Sequence, residues 1–202
     1  MIIGLTGGSG CGKSCGARVF AKAGFVVLDF DKIAREVCSA GSECLEEIKI
    51  HFGNEIILPD GSLNRQALGA IVFADEKLLS ILTKITHKYI LKETDALIKE
   101  HKGKNLLFDA PLLFEAGLDQ KCDYVVSILA SKELRLARIC ERDGLDKAHA
   151  LARIQSQPDD DFYLEKSDLC LFNNDDLPSL EQKLSEFLSN CLRSITDESD
   201  SI

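Results

Sequence analysis

Hydrophobic positions follow two rhythms along this chain. In one, apolar residues stand in short unbroken runs: Ile2 to Leu5 (IIGL), Phe25 to Leu28 (FVVL), NLLFDA at 105–110, DYVVSILA at 123–130 and DLCLF at 168–172. Runs of this length without alternation read as strands buried on both faces, as in a parallel sheet. In the other, apolar residues recur at helical spacing. The spacing predicts helices over 14–23, closed by Gly24, over much of 31–101, over 132–142 and 147–157, and from about 179 to 193. Only the DGS turn at 60–62 clearly interrupts the long helical stretch. Strand, glycine-rich turn, helix and strand follow one another within the first thirty residues, which is a βαβ unit. The acidic tail TDESDSI at 196–202 is expected to fray.

Composition narrows the picture. With 202 residues, 45% hydrophobic and 28% charged, the chain has enough apolar material for one sizeable core and room for an inserted module. A formal net charge of -9 without a basic block argues against a nucleic-acid partner. No apolar run reaches the roughly 18 residues of a membrane span, and the N-terminus lacks a signal-peptide pattern. A cytoplasmic protein with no membrane association and no obligate protein partner is the expectation. Its eight cysteines, at 11, 15, 38, 44, 122, 140, 170 and 191, include no C-x-x-C pair, so they read as small buried hydrophobes rather than zinc ligands.

The candidate chemistry begins directly after the first strand. Residues Gly7 to Ser14 (GGSGCGKS) fit G-x-x-x-x-G-K-[ST] between a strand and a helix, the setting that this phosphate-binding motif requires. In such a loop the backbone N–H groups of Gly8, Ser9, Gly10, Cys11 and Gly12 turn toward phosphate oxygens, and the N-terminus of the next helix, at Ser14 and Cys15, adds partial positive charge. Lys13 is then placed for the β- and γ-phosphates of ATP, and the Ser14 hydroxyl for Mg²⁺. A glycine-rich turn that only packs strand against helix is the alternative. Cys11, near Lys13 and a helix N-terminus, is expected to be a reactive thiol that MgATP shields, unless it merely stands in for serine; Cys15 is expected to react more slowly. Nothing reads N-K-x-D, so guanine selectivity is disfavoured.

Acids and bases elsewhere suggest phosphoryl transfer to an acceptor. Asp29 and Asp31 (LDFD) follow the second strand, where strand alternation puts them on one face; one suits acceptance of a hydroxyl proton and the other positioning of acceptor or metal water, with helix capping as the bland alternative. Asp109, at the end of NLLFD, fits a Mg²⁺-holding strand-end aspartate or a solvated one. Arg138 and Arg142 share a helical face with Arg135, and Arg153 lies on the next helix beside Gln157. Such a basic hairpin either closes over ATP or is a solvated face paired with Glu141 and Asp143. His87, in THKYI, is functional or structural.

At this point the residues resemble the dephospho-CoA kinase family over almost the whole chain. The resemblance lies in GLTGGSGCGKS at 4–14, VVLDFDKIAREV at 26–37, DGSLNRQALGAIVF at 60–73, THKYI at 86–90, DAPLLFEAGLDQKCD at 109–123, RICERDGLDKAHALARIQSQ at 138–157 and SDLCLFNN at 167–174. It implies an α/β fold with a P-loop NTPase core, a parallel sheet flanked by helices, a helical module for the CoA substrate and a helical lid. On this sequence the core would be 1–30, 103–137 and 166–202, the CoA-substrate module 31–102, and the lid 138–165. The activity implied is ATP-dependent phosphorylation of the ribose 3′-hydroxyl of dephospho-CoA, the last step of coenzyme A synthesis, with Mg²⁺. By the same resemblance Asp31 is the general base beside Asp29, Arg65 and His87 belong to the substrate site, Arg138, Arg142 and Arg153 are lid residues near ATP, and Asn173 closes the base pocket. Lys88 stands where proline usually follows the histidine, an extra positive charge that would favour the substrate's pyrophosphate. Another small-molecule kinase of the same architecture, and a nucleotide switch without an acceptor, are the competing readings.

Overall fold

A computed structural model describes residues 1–175 and 177–199. The chain divides into two compact units, residues 1–28 with 104–202 and residues 29–103. In the first unit β1 (Ile2–Thr6), β2 (Val26–Asp29), β3 (Leu106–Asp109), β4 (Tyr124–Leu129) and β5 (Leu169–Phe172) form a parallel sheet in the order β2-β3-β1-β4-β5. The central strand β1 pairs with β3 (Ile3 opposite Leu107) and with β4 (Leu5 opposite Val126). Because both faces of β1 are covered, Ile3 and Leu5 on one face and Gly4 and Thr6 on the other are all buried. This is why the run shows no alternation.

Helix α1 (Lys13–Lys22) lies against this core through Cys15, Gly16, Val19 and Phe20. Gly16 lets it approach closely, since a Cβ there would stand 2.7 Å from the Ile128 side chain. Phe20 meets Phe25 edge to face at 5.4 Å, fixing the turn at Gly24, which has φ of +88°. Helix α9 (Leu177–Ser199) closes the same cluster with Leu180, Leu184 and Leu188. It runs beyond the expected end at 193 and takes in the start of the acidic tail; residues 200–202 lie outside the described residues.

The second unit holds α2 (Phe30–Glu36), α3 (Glu43–Phe52), α4 (Arg65–Val72) and α5 (Glu76–Glu100). Their shared core is Ile48, Phe52, Ile56, Leu68, Val72 and Ile85, with Cys38 and Cys44. Side-chain caps start the helices: Ser42 Oγ accepts from Leu45 N at 3.1 Å and Asn64 Oδ1 from Ala67 N at 3.1 Å. The DGS turn is built by Asp60 Oδ1, which accepts from Ser62 N at 2.9 Å, with Gly61 at φ of +81°.

Two local expectations need correction. The helix after β2 starts at Phe30, because Asp29 Oδ1 accepts from Lys32 N at 3.0 Å and so caps it. Asp31 therefore sits in the first turn of α2, and strand alternation does not set its direction. A helix not read from the sequence, α8 (Asp160–Lys166), follows α6 (Lys132–Asp143) and α7 (Lys147–Gln155). Asp159 caps it by accepting from Phe162 N at 3.1 Å, and Asp160 and Asp161 place negative charge in its first turn. Among the described residues no helix is long and apolar enough to cross a membrane.

Candidate active site

The loop after β1 has the backbone that its glycines allow. Gly7, Gly10 and Gly12 have φ of +133°, +80° and +105°, values that L side chains rarely adopt. A Cβ on Gly7 would also overlap the Ile128 carbonyl oxygen, and one on Gly10 would stand 2.8 Å from that of Arg135. Helix α1 begins at Lys13, and its N-cap, Gly12, brings no side chain to cover the first amides. Uncapped N–H groups at a helix start form an anion site.

The other side of the loop is held from outside. Amides that turn toward a phosphate leave the carbonyls facing away, and three successive carbonyls are each bonded by a side chain. Ser9 O accepts from Arg135 Nε at 3.0 Å, Gly10 O from Arg138 Nη1 at 3.3 Å and Cys11 O from Asn173 Nδ2 at 2.8 Å. Arg138 also reaches Asn173 O at 3.1 Å through Nη2. Gln157 completes the clasp: its Oε1 accepts from Ser9 N at 2.9 Å and Arg135 Nη2 at 2.7 Å, while its Nε2 donates to Ser9 Oγ at 3.0 Å. Arg135 is 6% exposed, so these bonds form out of water, where they are strongest.

This arrangement changes the reading of several side chains. Arg138, expected over the nucleotide, donates to the loop's Gly10 carbonyl. Asn173, expected in the base pocket, is 2% exposed and bonds the loop; its Oδ1 is buried without a hydrogen-bond partner. Arg142 and Arg153 both bind Asp143: Arg142 is bidentate at 2.7 and 2.8 Å, and Arg153 Nη1 lies at 2.6 Å. The hydrogen bond from Arg142, with that from Arg153 behind it, holds the Asp143 carboxyl at about 2. These two arginines thus join α6 to α7, the paired solvated face that the sequence left open. Arg135 and Gln157, which it did not place in the site, are the loop's nearest supports. Their signal was present: Arg135 shares the helical face of Arg138, and Gln157 follows α7 by two residues.

The two loop thiols also depart from expectation. Cys11 is fully buried in the sheet core, and burial outweighs the charges of Arg135 and Lys13, pushing its thiol up rather than toward thiolate. Only its backbone belongs to the loop surface. Cys15 is 4% exposed, packed as expected.

Asp109 ends β3 and stands opposite Leu5 in register, one residue short of the end of β1. Ser14, in the first turn of α1, is exposed. Among the described residues no group of three or more His, Cys, Asp or Glu is arranged to hold a metal ion. In this unit a cleft of about 500 Å³ opens beside the clasp, lined by Lys132, Arg135, Gln157 and Asp159 to Asp161. The structure brings together the loop, Arg135, Arg138, Gln157 and Asn173. Asp29, Asp31, Arg65 and His87 belong to the second unit. There Asp31 and Arg65 are exposed in the first turns of α2 and α4, and His87 is half-buried in α5. Lys88, read as a charge for the substrate, is instead paired with Glu47 at 2.7 Å.

A family model described as dephospho-CoA kinase matches residues 1–179. The chain is similar to a dephospho-CoA kinase of Corynebacterium glutamicum, 37% identical over 94% of this chain and 96% of that one. Among solved structures, it is similar to a dephospho-CoA kinase from Campylobacter jejuni, with a TM-score of 0.69, 29% identity, and coverage of 96% and 98%. A Thermus thermophilus structure gives a TM-score of 0.80 at 30% identity, over 94% of this chain and 97% of that one. With a phosphate loop on a parallel sheet, a helical insertion after β2 and a family match over most of its length, the chain belongs to the dephospho-CoA kinase family.

Proposed function

We propose that this chain uses ATP to phosphorylate the ribose 3′-hydroxyl of dephospho-CoA in the cytoplasm. The observation that carries the donor half is the braced loop. Its carbonyls are fixed from behind by Arg135, Arg138 and Asn173, so the loop keeps its curved shape before phosphates arrive, while the Ser9 and Cys11 amides, expected to face phosphate, donate to Gln157 Oε1 and Gly8 O here. Lys13 neutralises charge on the β- and γ-phosphates, and the uncapped start of α1 adds its dipole.

The positive-φ glycine cradle fits a triphosphate, and the donor set fits its magnesium ion: one hydroxyl, Ser14, and one strand-end carboxylate, Asp109, with phosphate oxygens supplying other ligands. When bound, Mg²⁺ neutralises developing charge on the transferring group. For the acceptor half, Asp31 takes the proton of the attacking hydroxyl, while Asp29, engaged as the cap of α2, holds the turn that presents Asp31. Both follow β2 as the loop follows β1, and the C-terminal ends of parallel strands are where such sheets place ligands. Arg65 and His87 bind the acceptor.

Incubation with MgATP and dephospho-CoA, read by mass, is expected to give a product heavier by one phosphoryl group, and no comparable turnover with shikimate, gluconate or nucleoside monophosphates. Asp31→Asn is expected to lower kcat strongly with little change in KM for ATP. If Asp29→Asn proves the more damaging to kcat, the base is the wrong member of the pair.

A further inference from the structure

Cys38 and Cys44 take no part in the chemistry above. Cys38 follows α2 and Cys44 lies in the first turn of α3, and their sulfurs are 3.4 Å apart. A disulfide bond is about 2.05 Å long, so bonding asks for an approach of roughly 1.3 Å. The connection between them can supply it. Ser39, Ala40 and Gly41 are exposed, and Gly41, at φ of +77°, has open space where a Cβ would be.

Access is narrow and charged. A surface cavity of about 260 Å³ has Cys44 in its wall, yet Cys44 is only 1% exposed, so a small reagent reaches it and a bulky one does not. Glu36, Glu43 and Glu93 flank the cavity, and its one lysine, Lys92, is already paired with Glu43 at 2.8 Å. The surplus of carboxylates disfavours anionic oxidants.

We infer that Cys38 and Cys44 are an oxidisable dithiol, closed to an intramolecular disulfide by hydrogen peroxide or another small neutral hydroperoxide. In the first step one sulfur of the pair attacks the peroxide: an S–O bond forms, the O–O bond breaks, and the first water leaves, with that cysteine as sulfenic acid. In the second the other sulfur attacks it: the S–S bond forms, the S–O bond breaks, and the second water carries off the remaining thiol proton. Two thiols lose two electrons in all and the peroxide gains two. The two sulfurs already share a contact in which either can donate, and Cys44 is the one that the cavity reaches. The new bond ties the end of the helix that carries Asp31 to α3.

The test uses the reduced full-length protein, treated with equimolar hydrogen peroxide, then denatured in guanidinium with excess N-ethylmaleimide and mapped by peptide mass. The expected result is a linked pair of peptides holding Cys38 and Cys44, lighter by two hydrogens, with two of the eight thiols lost and restored by dithiothreitol. Cys38→Ser and Cys44→Ser are each expected to abolish the linked pair and the reversible loss of two thiols. Glutathione disulfide, which is anionic, is expected to react about tenfold more slowly or worse. The wild-type map needs no variant to fold. Cys38 and Cys44 both alkylated after peroxide and denaturation, or oxidation first at another cysteine, would overturn the inference, as would faster reaction with glutathione disulfide.

Discussion

Arg135→Met tests whether the phosphate loop owes its shape to the side chains behind it. Methionine keeps much of the apolar stem and removes the guanidinium, which donates to Ser9 O at 3.0 Å and Gln157 Oε1 at 2.7 Å. Gln157 Oε1 keeps its bond from Ser9 N, but the Ser9 carbonyl loses its arginine partner. Hydrogen bonds from a charged donor are worth about 1.5 kcal/mol or more each, so the pair represents about 3 kcal/mol of preorganisation, a factor of about 10². We expect kcat/KM for ATP to fall by that order, with a weaker calorimetric affinity for ATP. Arg135→Lys offers a single point donor in place of the planar fork and should recover about half of the free energy, leaving a deficit of about tenfold. Melting curves run alongside separate this from global destabilisation, which lowers Tm without altering kcat/KM of the folded fraction. A folded Arg135→Met protein with ATP parameters within about twofold of wild type would refute the reasoning.

Lys13→Ala should reduce phosphoryl transfer by about 10²-fold or more while leaving Tm near wild type, since a loop lysine adds charge and little packing; near-normal turnover would remove the loop from the chemistry. Cys11, buried and with its thiol raised, should resist brief alkylation equally with and without MgATP, and peptide mapping that finds it labelled first would contradict its place in the core. Asp143, held at about 2, contributes stability that is complete above its ordinary unfolded value of about 4 and is lost as pH falls from there toward 2. Melting temperatures of wild type and Asp143→Asn should accordingly differ above pH ~4 and converge near pH ~2; a gap independent of pH would count against the Arg142–Asp143–Arg153 link.

What the sequence makes legible is what short stretches encode. The glycine loop is read from eight consecutive residues because its glycines, lysine and serine each answer to one local requirement, and the buried strands show as runs because both faces of the sheet are covered. The start of α2 was misplaced by one decision of a single side chain, Asp29 turning to cap Lys32 N instead of facing along the strand direction. Helix α8 is acidic and seven residues long; Pro158 followed by three aspartates marks a cap, but so short a helix shows too little periodicity to be read as one. The thiol of Cys11 was judged from its neighbours in sequence, two of them favouring thiolate, whereas its state is decided by Phe20, Ile128 and the rest of a core assembled from distant segments. Helical spacing put Arg135, Arg138 and Arg142 together on α6, but nothing local says that the first two turn to the loop and the third to Asp143.

The bonds that brace the loop span 126 residues for Arg135, 148 for Gln157 and 162 for Asn173. A chain made from its N-terminus at about 5–20 residues per second thus exposes its glycine loop roughly ten to thirty seconds before the last of these partners is synthesised. During that interval the nascent protein carries the motif without the machinery that shapes it. Ribosome-bound fragments ending before Asn173 will bind ATP poorly, and competence will arrive late and abruptly, when the segment from α6 to the end of β5 docks. The nucleotide site is therefore a report on completed synthesis: only a chain that has folded through residue 173 acquires it.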